Sequence, residues 1–301
     1  MKKITKISLI TAGISILLGV IFIFIGFVFG ANIGCVYANG QFYTKEEINK
    51  TYKSDNYENI KNIYANGEGY DIELVNSLDN TFSVEYESYG TFNKPEITVK
   101  DGQLKVEGYY DNNINGIFFD MFDGLYKIFS GDYYNKITIN IPQNAQLEAV
   151  DIRTTNSMIH INSDFITDNL QCLTFNDKIQ IDSDITVNKL TNLETTNDKI
   201  VCNGTFNKAV KLKTTNDKIV ATGTFNCNLD CNTTNDKIEL NLSNSENDYN
   251  IEAHTTNDKI FVNEEKIVDE DNNKTFSVDN NADYKLSAST TNGKIELNFK
   301  N

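Results

Sequence analysis

One six-residue phrase recurs seven times in the second half of the chain, and it constrains the fold more than anything else in the sequence. Its copies are TTNSMI (154–159), TFNDKI (174–179), TTNDKI (195–200, 214–219, 233–238 and 255–260) and TTNGKI (290–295). The central residues are Asn156, Asn176, Asn197, Asn216, Asn235, Asn257 and Asn292, spaced 20, 21, 19, 19, 22 and 35 residues apart. A fixed period of this length is the mark of a repeat architecture. Aligned on the asparagine, the copies separate an inside from an outside. Six positions before it stand Val150, Leu170, Thr191, Val210, Leu229, Ile251 and Leu286; four before it stand Ile152, Cys172, Leu193, Leu212, Cys231, Ala253 and Ala288. Two before it is always Thr, three after it is always Ile, and the positions between are mostly polar. This period-two alternation predicts short strands with one buried face.

The Asn-Asp or Asn-Gly between two such runs reads as a turn, since Asn tolerates a left-handed backbone. An array of hairpins would alternate in the same way. Identical residues returning at an identical phase fit better to coils of about twenty residues lying on one another, each rung ~4.8 Å above the last. The fold class expected is therefore all-β, a β-solenoid with an isoleucine ladder inside and Thr and Asn ladders at a corner. A further apolar position in four copies (Phe165, Ile185, Phe206, Phe225) suggests a third short strand per coil. A WD-type propeller fits less well, because its blades run to ~40 residues and the chain has no Trp.

The N-terminus is of another kind. After Lys2, Lys3 and Lys6 no charged residue occurs until Lys45, and Ile7 to Phe29 is almost wholly apolar. Some twenty apolar residues at 1.5 Å rise match a hydrocarbon core of ~30 Å. The organisation expected is a cytoplasmic tail (1–6), a transmembrane helix (7–31), a linker (32–56) with a short helix near 44–50 opened by Thr44-Lys45-Glu46-Glu47, irregular coils and a cap (57–148), and the regular repeats (149–301). The helix is expected to be retained as a single-pass anchor in the cell membrane, with the body of the protein extracytoplasmic. Cys35 after Gly34 fits a lipid-attachment signal only in part, because Asn32 is out of place there. Strand-like runs are read at Asn59–Tyr64, Asp71–Val75, Phe82–Tyr86, Glu96–Lys100, Gln103–Glu107 and Lys136–Ile141, with Asp101-Gly102 as a hairpin turn. Residues 111–135 interrupt them with an apolar insertion. Phe118, Phe119, Phe122, Tyr126 and Phe129 within it are expected either to pack as a flap or to form a contact surface for a partner or the bilayer.

The chain carries 27 basic and 42 acidic residues. That balance argues against nucleic acid as a partner. Five cysteines without a C-x-x-C, and two histidines, give no zinc or disulfide framework. Cys172 and Cys231 share a phase three coils apart, too far to bridge, and Cys202 also takes an inward phase. No cofactor or metal is expected. No G-x-S-x-G, H-E-x-x-H or phosphate loop occurs, so an enzyme is not expected. The candidate binding residues are the charged pairs of the corner: Asp177 and Lys178, Asp198 and Lys199, Asp217 and Lys218, Asp236 and Lys237, Asp258 and Lys259. Their alternating charges read as a self-neutralised corner, or as a ladder that binds a polymer in register. The acidic stretch Glu264–Asp271 reads as a solvated loop.

The apolar N-terminus, the run Ile137-Thr138-Ile139-Asn140-Ile141-Pro142 and the T-T-N-G/D-x-I units together resemble the bacterial adhesin-like family of β-strand repeats, a domain of unknown function, over residues 55–299. The resemblance implies a β-helix-like solenoid at the cell surface and supplies no catalytic residues. The function expected is a non-enzymatic envelope interaction module whose partner is a cell-wall polymer, a surface glycan or a protein. The alternatives are an envelope-structural or stress-response accessory and, behind it, a glycan-active β-helix enzyme.

Overall fold

The computed structural model describes residues 3–28, 35–38, 41–44, 50–88, 94–109, 135–267 and 274–300. They fall into two units, one holding the described residues up to 44, the other those from 50 onward.

In the first unit, helix α1 (Lys3–Val28) spans 26 residues, or ~39 Å at 1.5 Å per residue. Its side chains are described at Thr5 and from Ser8 to Ile23, all exposed. Over those residues no helix is long and apolar enough to cross a membrane, so the spanning length expected from the sequence is not shown. Beyond α1, β1 (Cys35–Ala38) and β2 (Gln41–Thr44) pair antiparallel. The two residues between them are Asn39 and Gly40, the dipeptide that favours two-residue hairpin loops. The short helix expected near 44–50 is not seen at either end: Thr44 closes β2 and Lys50 opens β3 (Lys50–Lys53). Residues 45–49 lie outside the described residues.

The second unit is all-β. The N-terminal runs become β4 (Asn62–Glu68), β5 (Tyr70–Asn76), β6 (Ser83–Ser88), β7 (Glu96–Lys100), β8 (Gln103–Tyr109) and β9 (Asn135–Ile141). The Asp101-Gly102 turn is present between β7 and β8, both residues having positive φ. The repeats supply β10 (Ala145–Thr154), β11 (Ile159–Asn162), β12 (Phe165–Leu173), β13 (Ile179–Ile181), β14 (Ile185–Glu194), β15 (Ile200–Phe206), β16 (Ala209–Lys213), β17 (Ile219–Phe225), β18 (Asn228–Asn232) and β19 (Ile238–Leu242). The C-terminal part adds β20 (Tyr249–Thr255), β21 (Ile260–Val262), β22 (Glu265–Ile267), β23 (Thr275–Val278), β24 (Tyr284–Thr290) and β25 (Ile295–Phe299).

Coil lies on coil in parallel register. The first strands run in space as β8, β4, β10, β12, β14, β16, β18, β24, β20. The second strands run as β9, β5, β11, β13, β15, β17, β19, β25, β21. Identical phases therefore meet. Ile137, Ile72, Ile159, Ile179, Ile200, Ile219, Ile238, Ile295 and Ile260 form one column, none more than 2% exposed. Burying each such side chain is worth ~1.5–3 kcal/mol. A second column runs Cys172, Leu193, Leu212, Cys231, which puts the two cysteines three rungs apart. Cys172, Cys202, Cys227 and Cys231 are free and buried.

The spatial order departs from the chain order at both ends. β4 and β5, first of the parallel-ladder strands in sequence, lie one rung in, beneath β8 and β9. β24 and β25, last in sequence, lie between the 228–242 and 249–262 coils. Antiparallel strands close the ladders: β7 on β8 and β6 on β9 at one end, β23 on β20 and β22 on β21 at the other. Such pairings blunt the open edges that a parallel stack would offer to other chains.

The third side of the coil differs from the sequence reading. Its strand is not separate: β15 and β17 run continuously through it, and β10, β12 and β14 begin on it. Phe206 meets Val187 and Phe225, while Ile185 meets Gly204. Phe165 and Ile185 thus do not share a column with Phe206 and Phe225. Gly204 and Gly223 carry φ of +146° and +128° and lie against each other. A Cβ on Gly223 would overlap the Gly204 carbonyl, so only glycine fits there.

Candidate functional site

The repeat corner is built by one buried and one exposed ladder. The Thr two before each Asn is at most 8% exposed. Its hydroxyl donates to the backbone of the adjacent rung: Thr195 to the Asp177 carbonyl (2.8 Å), Thr214 to Asp198 (2.8 Å), Thr233 to Asp217 (2.8 Å), Thr290 to Asp236 (3.0 Å) and Thr255 to Gly293 (2.8 Å). This explains why that residue is invariant: Ser would pack less well, and Val would leave a buried carbonyl without its donor.

One turn outward, the asparagine amides hydrogen-bond along the stack. Asn176 donates to Asn156, Asn197 to Asn176, Asn216 to Asn197 (2.5 Å), Asn235 to Asn216 (2.7 Å), Asn292 to Asn235 (2.8 Å) and Asn257 to Asn292 (2.6 Å). Every donor points the same way, so the amide dipoles add along the column. The backbone N–H groups of Asn197, Asn216, Asn235, Asn292 and Asn257 reach across a rung as well, to the carbonyl one residue before the neighbouring Asn. None of these asparagines has a positive φ. The left-handed turn expected at the corner is therefore not used, and the asparagines serve the ladder instead.

The aspartates are committed to the turn. Asp177, Asp198, Asp217 and Asp236 each accept the N–H of the following lysine at 2.6–2.7 Å. The expected Asp–Lys neutralisation is absent as an ion pair among the described residues. Lys237 instead meets Glu239 at 2.6 Å and Lys294 meets Glu296 at 2.6 Å. Glu239's hydrogen bond to Lys237 pulls that carboxyl below its ordinary range and holds the Lys237 ammonium above its own. Lys178, Lys199, Lys218 and Lys259 make no ion pair among the described residues. Lys178, Lys199 and Lys218 stand on three successive rungs. The residues two further along are Gln180, Val201 and Val220, none of them acidic.

Two constellations escaped the sequence reading. Asn188, Asn207, Asn226 and Asn244 form a second amide ladder at 3.1–3.2 Å. It was legible only as 18–19-residue spacing in the repeat tails. His160 lies between Glu73 (3.0 Å) and Asp182 (2.9 Å), and Lys136 pairs with the same Glu73. These residues are remote in sequence, and no motif joins them. A cleft of about 600 Å³ lies by β3 and β7, lined by Lys53, Tyr57, Tyr86, Lys94 and Glu96 among others. Among the described residues no group of three or more His, Cys, Asp or Glu could hold a metal ion. Phe118, Phe119, Phe122, Tyr126 and Phe129 lie outside the described residues.

The family model for Toastrack DUF4097 matches residues 60–298. No curated protein matches the chain. Among solved structures it is similar to a candidate cell adhesion protein from Clostridium sporogenes ATCC 15579, at 11% identity and a TM-score of 0.36, covering 84% of this chain and 100% of that one. It is similar also to a candidate adhesin from Bacteroides fragilis NCTC 9343 (11% identity, 83% and 97% covered, TM-score 0.31). A candidate lipid binding protein from Parabacteroides distasonis ATCC 8503 has 14% identity, with 88% and 98% covered and a TM-score of 0.31.

Proposed function

The chain belongs to the Toastrack DUF4097 family, and from that premise we propose that it is a non-enzymatic interaction module of the bacterial cell surface. It is a membrane-anchored solenoid that presents its repeat corner to a regular polymer. The observation that carries this reading is the row Lys178, Lys199, Lys218: three cations on successive rungs, none in a salt bridge among the described residues, although Lys178 acts at longer range on Asp71 and Lys218 on Glu239. At ~4.8 Å per rung, such a row suits an anionic cell-wall polymer or surface glycan whose charges recur along its length. The aspartates beside it are occupied by backbone N–H groups and so compete less for the ammonium groups.

The anchor is part of the same reading. Helix α1 is apolar from Ile7 to Val28, and its described side chains lie exposed, Phe22 at 69% and Leu17 at 62%. A bilayer is the surroundings that such a helix fits. Lys2, Lys3 and Lys6 then remain on the cytoplasmic side and the β unit lies outside.

The test is binding of the full chain, in detergent micelles, to purified wall polymers and surface glycans. Reversing the row (Lys178→Glu, Lys199→Glu and Lys218→Glu together) is expected to weaken binding at least tenfold. Undiminished binding removes the corner from the function. Absence of binding by the unaltered chain favours an envelope-structural accessory, and release of cleaved glycan favours an enzyme.

A further inference from the structure

The threonine file just before the asparagine ladder is broken once. Thr155, Thr196, Thr215, Thr234, Thr256 and Thr291 take the position one residue before the asparagine in six copies, and Phe175 takes it in the seventh. The backbone stacks these residues on one another. Phe175 donates its N–H to the Thr155 carbonyl and accepts the N–H of Thr196, Thr215 donates to Thr196, Thr234 to Thr215 and Thr291 to Thr234, each at 3.2 Å. The phenyl ring therefore stands on the outside of the corner, 52% exposed, within a file of hydroxyl side chains. A ring left so far in water adds little to the stability of its coil, and the fold is built with threonine at the same place in every other copy.

The rung that carries the ring is the rung of Lys178, where the row of lysines without a salt bridge begins. On the rung before it Met158 takes the place of the lysine. On the rung after Lys218, Glu239 holds Lys237. Phe175 thus marks one end of a cationic row three rungs long. Between ring and row, in sequence, stand Asn176, Asn197 and Asn216, all exposed. Each amide uses one N–H and one oxygen lone pair in the ladder, which leaves a second N–H and a second lone pair on every rung for a ligand. An aromatic face, amides that both donate and accept, and a row of ammonium groups do not suit all polyanions equally. A phosphodiester chain offers acceptors alone and no flat apolar face. A hexuronate offers the C–H face of its ring, hydroxyls that donate and accept, and one carboxylate per sugar.

We infer that the corner takes an acidic polysaccharide of the hexuronate class, one sugar ring stacking on Phe175 while the carboxylates of the sugars that follow meet Lys199 and Lys218. The inference rests on the reading of the corner as a polymer site and adds to it the class of ligand and the residue that selects it. The asparagine ladder bonds the sugar hydroxyls, and Phe175 fixes the rung from which the polymer is engaged.

The experiment measures dissociation constants of the full chain, in detergent micelles, for two probes of similar charge, the oligomer hexagalacturonate and inorganic polyphosphate. The variants are Phe175→Thr, Phe175→Tyr and the joint reversal of Lys178, Lys199 and Lys218 to Glu. Threonine at 175 restores the residue of the other six copies, so the corner keeps its fold. The unaltered chain is expected to prefer hexagalacturonate. Phe175→Thr should weaken that probe roughly fivefold, in line with the loss of one aromatic contact, and leave polyphosphate unchanged. Phe175→Tyr, which keeps the ring, should bind as the unaltered chain does, and the lysine reversal should weaken both probes. If Phe175→Thr changes neither probe, or weakens both alike, while the lysine reversal still acts, the role of Phe175 is overturned and the polymer site stands. Loss of hexagalacturonate binding in Phe175→Tyr overturns stacking in the same way. A preference for polyphosphate overturns the saccharide class. If the unaltered chain binds neither probe, or the lysine reversal changes neither, the reading of the corner as a polymer site fails and the inference fails with it.

Discussion

The same substitution, Thr→Val, should have opposite signs at two buried positions one rung apart. Thr214 is buried at the corner and its hydroxyl donates to the Asp198 carbonyl at 2.8 Å. Valine keeps the shape but removes the donor and strands the carbonyl. A lost hydrogen bond costs ~0.5–1.5 kcal/mol and a buried group left unpaired ~1–3 kcal/mol, so the expected loss is about 2 kcal/mol. Thr191 is only 1% exposed and sits in an otherwise aliphatic column between Leu170 and Val210, with no hydrogen-bond partner for its hydroxyl. There valine removes a desolvated hydroxyl, and the expected gain is about 1 kcal/mol. Stability in a stack of repeats is local, so the assay is native-state hydrogen exchange over peptides covering 185–206 and 209–225. At ~1.4 kcal/mol per tenfold, Thr214→Val should lower protection of its coil about thirtyfold. Thr191→Val should raise protection about fivefold. If both variants move in the same direction, the assignment of corner threonines as interrung donors is wrong.

Two further outcomes follow from burial and backbone geometry. Gly223→Ala should cost about 3–5 kcal/mol, at the upper end for one residue, because φ is +128° and the Gly204 carbonyl occupies the space; the same hydrogen-exchange measurement, read over 200–225, checks it. Burial pushes the Cys227 thiol up to about 12 and raises Cys172, Cys202 and Cys231 as well. Unfolded thiols ionise from about pH 9, so above that pH the unfolded chain has lost protons that the folded chain keeps. The stability these thiols contribute is complete below pH 9 and declines towards pH 12, and a urea midpoint that falls across this window, less steeply in Cys227→Ala, is the expected result.

Much of the fold was legible because the period of the sequence is the period of the structure. The invariant Ile and the alternating columns could be assigned to a buried face from phase alone, and the three-rung separation of Cys172 and Cys231 followed from it. The place of the last coil was not legible. Exchanging the rungs of Asn257 and Asn292 leaves every column filled by the same kinds of residue, so pattern cannot distinguish the two orders. The 35-residue interval held the signal, but it could be weighed only with both neighbouring rungs in place. The third side was misphased because Ile179 and Ile185, six residues apart, lie opposite Ile200 and Gly204, only four apart, so the strand is displaced there by two residues. At the candidate site the Asp-Lys repetition was plain from sequence. That the aspartates would bind backbone N–H groups, and two lysines the glutamates two residues on, required the coordinates of the turn.

The order of the last three rungs is the most direct measure of the whole architecture. Two double-cysteine variants of the full chain decide it, Asn235→Cys with Asn292→Cys and Asn235→Cys with Asn257→Cys. Adjacent rungs hold their Cα atoms ~4.8 Å apart, within disulfide range, and rungs two apart hold them ~9.6 Å apart, beyond the ~7 Å limit. The 235–292 pair should close rapidly within one chain under mild oxidation while the 235–257 pair stays reduced. Rapid closure of 235–257 with 235–292 open would contradict the inserted coil and return the stack to simple chain order.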